Sequence, residues 1–472
     1  MLRLICLLTT LLFTTCLMGQ SSLSEETQSY VSQPRGSYVL QNLTILDGTG
    51  GPARTNQDVI IDGETILAIG EDLAIPSEAT AIDLQGKSAM PGMVMLHEHL
   101  FYPKTTPGRP YGLDQMTYSF PKMYLAGGVT TMRTAGSIMP AVDVNIKKAI
   151  NRGDKPGPKM DVTTPHIDRE GTGIFELATI NSSAHAADAV NFYADMGCTS
   201  VKVYNFITRE DLSAIIDAAH ARDMKVTGHI CSITYREAAD LGIDNLEHGF
   251  YSTSDLFLDK KEDVCDPFGM RSALLSTAVD APVVSELIDH LVKEEVALTS
   301  TINVFEPYTG REVVPGGGVD ALFPAAKEKV LKRWASKQGR DSIDYALFNK
   351  AKVWEKAFYD AGGLLVAGTD PTYDGRIVAG YANMRLLELF VEMGFTIPEA
   401  IKICTLHGAK YLEQDDTIGT IAENKIADLL ILDQDISQDI SAIRSINMII
   451  KNGIGYDSGK LFKAAEGCVG IR

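Results

Sequence analysis

The sequence is poor in cysteine, basic charge and long apolar runs, and each shortage removes a class of protein. Seven cysteines occur in 472 residues and none forms a C-x-x-C pair, which argues against a disulfide-stapled scaffold and a thiolate zinc site. Cys6 and Cys16 fall in an N-terminal segment expected to be removed. Cys198, Cys231, Cys265, Cys404 and Cys468 read as buried thiols, with one bridge among them left open. Lysine and arginine number 43 against 61 aspartates and glutamates, giving a net charge of −18. An acidic surface repels phosphate backbones and anionic lipid, so no nucleic-acid partner is expected. Glycine (41) and proline (19) stand near ordinary usage, with no repeat or low-complexity tract, which sets aside collagen-like and disordered chains.

The single long apolar run is Leu4 to Met18, behind Arg3 and ahead of the polar run Gln20–Gln28. Residues 1–19 read as a secretory signal peptide, too short for a comfortable membrane span. An uncleaved anchor and a lipoprotein processed at Cys16 are rival readings. Phe13-Thr14-Thr15 fits the second poorly. The expectation is an exported protein, periplasmic or secreted, with no integral membrane span.

After a linker over 20–36, alternating segments at Tyr38–Leu46, Asp58–Ile61, Thr65–Ile69 and Ala81–Leu84 predict a small antiparallel β unit over 37–89. From about Met90 the pattern changes to short apolar runs alternating with helical stretches. Candidate strands are Gly92–His97, Val129–Arg133, Met160–Thr164, Ser200–Tyr204, Lys225–His229, Asn245–His248, Ala297–Thr301 and Leu364–Gly368. Eight strands alternating with helices predict an α/β fold, a (β/α)8 TIM-type barrel over 90–410. Strands return at Ala427–Leu432 and Ile446–Lys451, so the β unit is expected to be completed by 411–472 as a β-sandwich split around the barrel. Two long loops, from His248 to about Val283 and from Val304 to about Lys350, would cap the barrel mouth as substrate lids.

Residues able to bind metal or be activated collect at the strand ends. His97 and His99, at i and i+2, share the inward face of the first barrel strand, while Glu98 points outward. Lys202 lies at the end of the fourth strand, His229 ends the fifth, His248 the sixth and Asp370 the eighth. Barrel enzymes place catalysis at these C-terminal ends. Four of nine histidines at such positions is hard to account for by packing. His185, His220 and His290 fall in helical patterns and read as surface residues, and His407 as a structural hydrogen-bonding position.

The flanking segments carry a resemblance. Pro91-Gly-Met-Val-Met-Leu-His-Glu-His99, Gly128-Val-Thr-Thr131, Thr405-Leu-His-Gly-Ala-Lys410 and Gly419-Thr-Ile-Ala-Glu-Asn-Lys-Ile-Ala-Asp-Leu429 resemble the amidohydrolase superfamily of metal-dependent hydrolases. The layout is most similar to the branch of Xaa-Pro dipeptidases and imidazolonepropionases. The resemblance implies two divalent metal ions, zinc first. His97, His99 and Asp370 would hold one and His229 and His248 the other, with Lys202 bridging as a carbamate made with CO2. Imidazole and carboxylate donors suit zinc, with Mn²⁺, Fe²⁺ or Co²⁺ as substitutes. Relatives with one metal lack this lysine.

The mechanism so implied uses a metal-held hydroxide as nucleophile, with Asp370 taking its proton and passing it to the leaving amine. Tyr204 and His166 are candidate donors to the oxyanion. Arg133, Lys104 and Arg109 are candidate partners for a substrate carboxylate. Arg133 lacks the following aspartate seen in many relatives, with Thr134-Ala135 in its place. The expected function is hydrolysis of a C–N bond in a dipeptide or N-acyl amino acid. The alternative is a cyclic amidase, lactonase or other ester hydrolase. A non-catalytic binding protein on the same scaffold is the remaining class, and full ligand affinity without metal would mark it. Relatives are often dimers or larger, so a homo-oligomer is compatible with the resemblance.

Overall fold

A computed structural model of the chain describes residues 23–103, 112–172, 176–311, 317–339, 343–371 and 375–470. The expected signal segment, with Cys6 and Cys16, lies outside the described residues, as do Lys104 and Arg109. None of the described helices is long and apolar enough to cross a membrane.

The expected barrel is present. Its strands are β1 (Met93–Glu98), β2 (Val129–Thr134), β3 (Thr163–Asp168), β4 (Ser200–Val203), β5 (Lys225–Gly228), β6 (Asn245–Glu247), β7 (Ala297–Ser300) and β8 (Leu365–Ala367). Most of them are buried on both faces, as parallel strands covered by helices must be, so they read in sequence as short apolar runs. Strands β3 to β8 pair in parallel in chain order, and β1 pairs in parallel with β2. The ring closes between β8 and β1, where Thr369 and Asp370 both donate their N–H to the carbonyl of His97 at 3.0 Å. Gly368 is required at this closure: a Cβ there would lie 2.2 Å from the Cβ of His97.

The third strand differs from the expected Met160–Thr164. Lys159–Asp161 pairs with β2, the chain shifts at Val162, and β3 pairs onward with β4. Side chains span that seam: Thr163 donates its N–H to Thr134 Oγ1 at 2.9 Å, and Gly136 donates to Thr163 Oγ1 at 2.7 Å.

Helices between the strands start on sequence-encoded caps, such as the capping boxes Thr208/Asp211 and Thr234/Glu237. The two long loops are not bare. The first contains the helix Pro267–Ser276, and the second contains Pro324–Ala335 and the start of Ile343–Asp360.

The flanking segments join in one nine-stranded sheet, in which Leu429–Leu432 pairs with Ser88–Pro91. The sheet is mixed, which corrects the antiparallel expectation. Ser37–Ile45 runs antiparallel to Arg54–Asp62 but parallel to Thr80–Asp83 and to Ser88–Pro91. After the hairpin ending at Gly70 the chain crosses back to the other edge of its first strand, and a crossover of that kind imposes parallel pairing. The sheet has its own apolar core, including Tyr38, Leu40, Ile61, Leu429, Ile431 and Ile450. Ser88–Pro91 runs through Gly92 directly into β1, so this sheet fixes where the first histidine strand begins.

Candidate metal centre

The six side chains singled out from sequence, His97, His99, Lys202, His229, His248 and Asp370, line one cavity of about 650 Å³ at the C-terminal end of the barrel. Tyr204 and His166 line it too. His99 Nε2 lies 3.0 Å from Asp370 Oδ1, His97 Nε2 lies 3.7 Å from the same oxygen, and His248 Nδ1 lies 3.8 Å from Asp370 Oδ2. Ligand atoms of His97, His248 and Asp370 all fall within 4.8 Å of one another, a cluster that takes residues from both expected ligand groups. The His229 ring packs against His248 at 4.4 Å between centroids and against Tyr204 at 4.8 Å. Tyr204 in turn meets His166 at 4.8 Å, and His166 sits in register beside Lys202. Gly136, at φ 111°, makes room for that ring, since a Cβ would fall 2.2 Å from His166 Cε1.

Two of the six reach the cavity through backbone geometry that strand alternation would not give. His248 and Asp370 have φ of 66° and 49°, the left-handed region that non-glycine residues seldom enter. Each lies just beyond its strand, where the turn ends the extended alternation. Strain of this kind persists only where surrounding structure holds it. For Asp370 that structure includes Glu98, between the two first-strand histidines. Its buried carboxyl accepts from Thr369 N–H at 3.2 Å, from the Thr369 hydroxyl and from Asn383 Nδ2 at 2.9 Å. Burial raises its pKa to about 8 against these hydrogen bonds. Glu98 does point away from the cavity, and its function there is to tie the end of β8 to β1.

Below the ligands lies a polar floor that sequence reasoning missed. Glu247 Oε2 bonds His97 Nδ1 at 2.6 Å, while Glu247 Oε1 accepts from Arg133 Nη2 at 2.8 Å and from the Thr227 hydroxyl. Asn245 Oδ1 accepts from Arg133, Thr227 and Thr299, each at 2.8 Å. Arg133 is fully buried here and donates Nε–H to the Leu96 carbonyl at 2.8 Å. It therefore cannot meet a substrate carboxylate, which corrects that expectation. The available signal was the spacing of Asn245 and Glu247, two polar residues at successive inward positions of one barrel strand.

The electrostatics suit metal binding. Burial, aided by the nearby Lys202 ammonium, pushes His229 down to about 3 and holds His166 well below the ordinary imidazole value. Burial and the neighbouring His229 and His97 rings hold His248 well below it, and His99 is also lowered, chiefly by burial. Such rings are neutral at pH 7 and carry the lone pair that a metal takes. Burial also lowers Lys202 to about 8, against the opposing pull of Glu247. Its Nζ is buried without a hydrogen bond, 3.6 Å from Glu247 Oε1. A buried amine with no hydrogen bond and a lowered pKa, among four histidines and an aspartate, fits a lysine that is carboxylated and ligated. Its 3.6 Å contact with Glu247 is an ion pair without a hydrogen bond, which leaves the Nζ donors free.

The remaining expectations divide. His407 holds Leu365 O through Nδ1 at 2.8 Å, the structural part expected for it, and His185, His220 and His290 lie on helices. Cys231 is not a packed thiol: it is bonded to Cys265, with Cα atoms 4.9 Å apart. The bridge joins the loop that follows His229 to the loop that follows His248. Its partners are 34 residues apart, so only the fold brings them together.

The Amidohydrolase family matches residues 355–455. A dihydroorotase of Mycobacterium tuberculosis is 31% identical over 194 residues, which are 39% of this chain and 43% of that protein. The chain thus spans about two fifths of the length of the curated relatives it matches first. Among solved structures, a Xaa-Pro dipeptidase with bound methionine in the active site superimposes with a TM-score of 0.66 at 18% identity, covering 89% of this chain and 100% of that one. An ochratoxinase of A. niger gives a TM-score of 0.64 at 18% identity, covering 90% and 96%. These likenesses show the barrel-plus-sheet fold, and with the family match they bear out the resemblance to the amidohydrolase superfamily that the motifs carry.

Proposed function

We propose that the chain is an exported metal-dependent amidohydrolase that cleaves a C–N bond in a dipeptide or N-acyl amino acid. The observation that carries this reading is the buried Lys202 Nζ, without a hydrogen bond and 3.6 Å from Glu247, beside neutral imidazoles and Asp370 in one cavity. His97, His99 and Asp370 would hold one divalent ion and His229 and His248 a second, with carboxylated Lys202 between them. Bound zinc would supply a nucleophile at neutral pH and polarise the scissile carbonyl. Lys202, lowered to about 8, offers the neutral amine that CO2 requires. Asp370 takes the proton of the attacking water and returns it to the leaving amine. Tyr204 and His166 line the cavity wall, and on this reading they donate to the oxyanion. Glu247 fixes the His97 ring through Nδ1, leaving Nε2 toward Asp370.

The Cys231–Cys265 bond supports export, since such bonds persist in oxidising compartments. The partial likeness to dihydroorotases favours the second reading, hydrolysis of a cyclic amide or lactone by the same groups. A turnover panel of dipeptides, N-acyl amino acids, cyclic amides and lactones, run with and without chelator, separates the two. Chelator-sensitive release of a free amino acid supports the first reading. Turnover confined to cyclic substrates moves the assignment to the second, and turnover insensitive to chelator contradicts both.

A further inference from the structure

A substrate ending in a carboxylate needs a cation on the cavity wall, and the floor arginine is unavailable. Among the described lining residues the cations are Lys202, buried at the ligand cluster, and Arg271. Arg271 lies on the helix Pro267–Ser276 of the first long loop, and its side chain keeps 40% of its surface exposed, enough to meet a ligand. One Nη2–H bonds Asp344 Oδ1 at 2.5 Å, from the helix Ile343–Asp360 of the second long loop. Asp344 thereby orients the guanidinium plane, and no other hydrogen bond to a described residue occupies the remaining donors. A planar fork held from one side leaves its other edge for a bidentate carboxylate. Around it the wall is apolar: Met270, Leu274, Leu347 and Phe305, with Tyr251 stacked on Phe305 at 3.5 Å between ring centroids. Pro267, Met270, Arg271 and Leu274 share the inward face of their helix. Cys265, one residue before its N-cap Asp266, is tied to Cys231, two residues past His229.

We propose that Arg271 is the specificity residue that receives the α-carboxylate of the substrate's C-terminal amino acid, whose side chain is apolar or aromatic. This rests on the reading of the site as an amide hydrolase. The bidentate contact fixes the carboxylate end while the apolar wall takes the side chain, which sets the orientation of the scissile bond toward the ligand cluster.

The test compares N-acetyl-L-phenylalanine with N-acetylphenethylamine, which lacks only the carboxylate, on the zinc-loaded full chain. Where the compounds are hydrolysed the readout is kcat/KM, and where they are not it is Kd by calorimetry. The expected result is a preference for the acid of about 10- to 100-fold, the range of a charge-assisted hydrogen-bonded contact. Arg271→Met should abolish the preference by weakening the acid alone, Arg271→Lys should restore part of it, and thermal unfolding should barely move in either. A preference that survives in Arg271→Met, or an equal loss on both compounds, overturns the proposal. A preference for the acid in binding with no turnover of any amide leaves the carboxylate subsite standing and sinks the hydrolase reading. Normal turnover of the acid by Arg271→Met does the reverse.

Discussion

The floor and the mouth of the cavity are built on opposite principles. On the floor, Arg133, Glu247, Asn245, Thr227 and Thr299 are fully buried, polar and joined in one hydrogen-bonded net on barrel strands. At the mouth, Met270, Leu274, Tyr251, Phe305 and Leu347 form an apolar wall carried by long loops and pinned by a disulfide and one arginine–aspartate pair. Removing one partner from such a buried net is costly, so it tolerates little change and suits groups that must stay fixed. A loop-borne wall can vary without disturbing the barrel. On the proposed function, the chemistry is set from below and the choice of substrate from above.

If that division holds, damage at the ligand layer between them should have the largest effect. Asp370→Asn removes the proposed proton carrier, and kcat should fall by about 10²- to 10⁴-fold, measured under saturating substrate. Glu247→Gln strikes the floor: it frees the His97 ring and leaves the buried Arg133 charge uncompensated. Metal affinity should drop by about 10- to 100-fold, and stability in urea by about 3–5 kcal/mol. A Glu247→Gln protein with normal metal content and normal stability would erase the floor from the account. The paired change Cys231→Ser with Cys265→Ser strikes the mouth. It should cost about 2–4 kcal/mol of stability and raise KM while metal content stays unchanged. Loss of metal in that variant would show that wall and ligand layer are not separable.

Much of the barrel was legible in the sequence, because parallel strands buried on both faces leave short apolar runs bounded by helix caps. The third strand was shifted, since a break at Val162 divides its pairing between two neighbours and no residue pattern announces it. That the six candidate ligands meet in one cavity was legible because His97 and His99 follow strand alternation and the others end strands. The floor was not: Glu247 stands next to His248, and only the left-handed turn at His248 lets neighbours in sequence serve one site from two levels. Arg133 looked available because charge implies exposure, whereas a carboxylate from a strand four positions away keeps it buried. The Cys231–Cys265 bond and the Arg271–Asp344 pair join separate loops, so their partners are set by the fold alone.

The central claim is a paired metal centre bridged by Lys202. It is tested most directly by the zinc content of the purified protein beside that of Lys202→Ala, read by mass spectrometry. The account predicts about two equivalents in the parent and a clear fall in the variant. One equivalent, unchanged by the substitution, would contradict it.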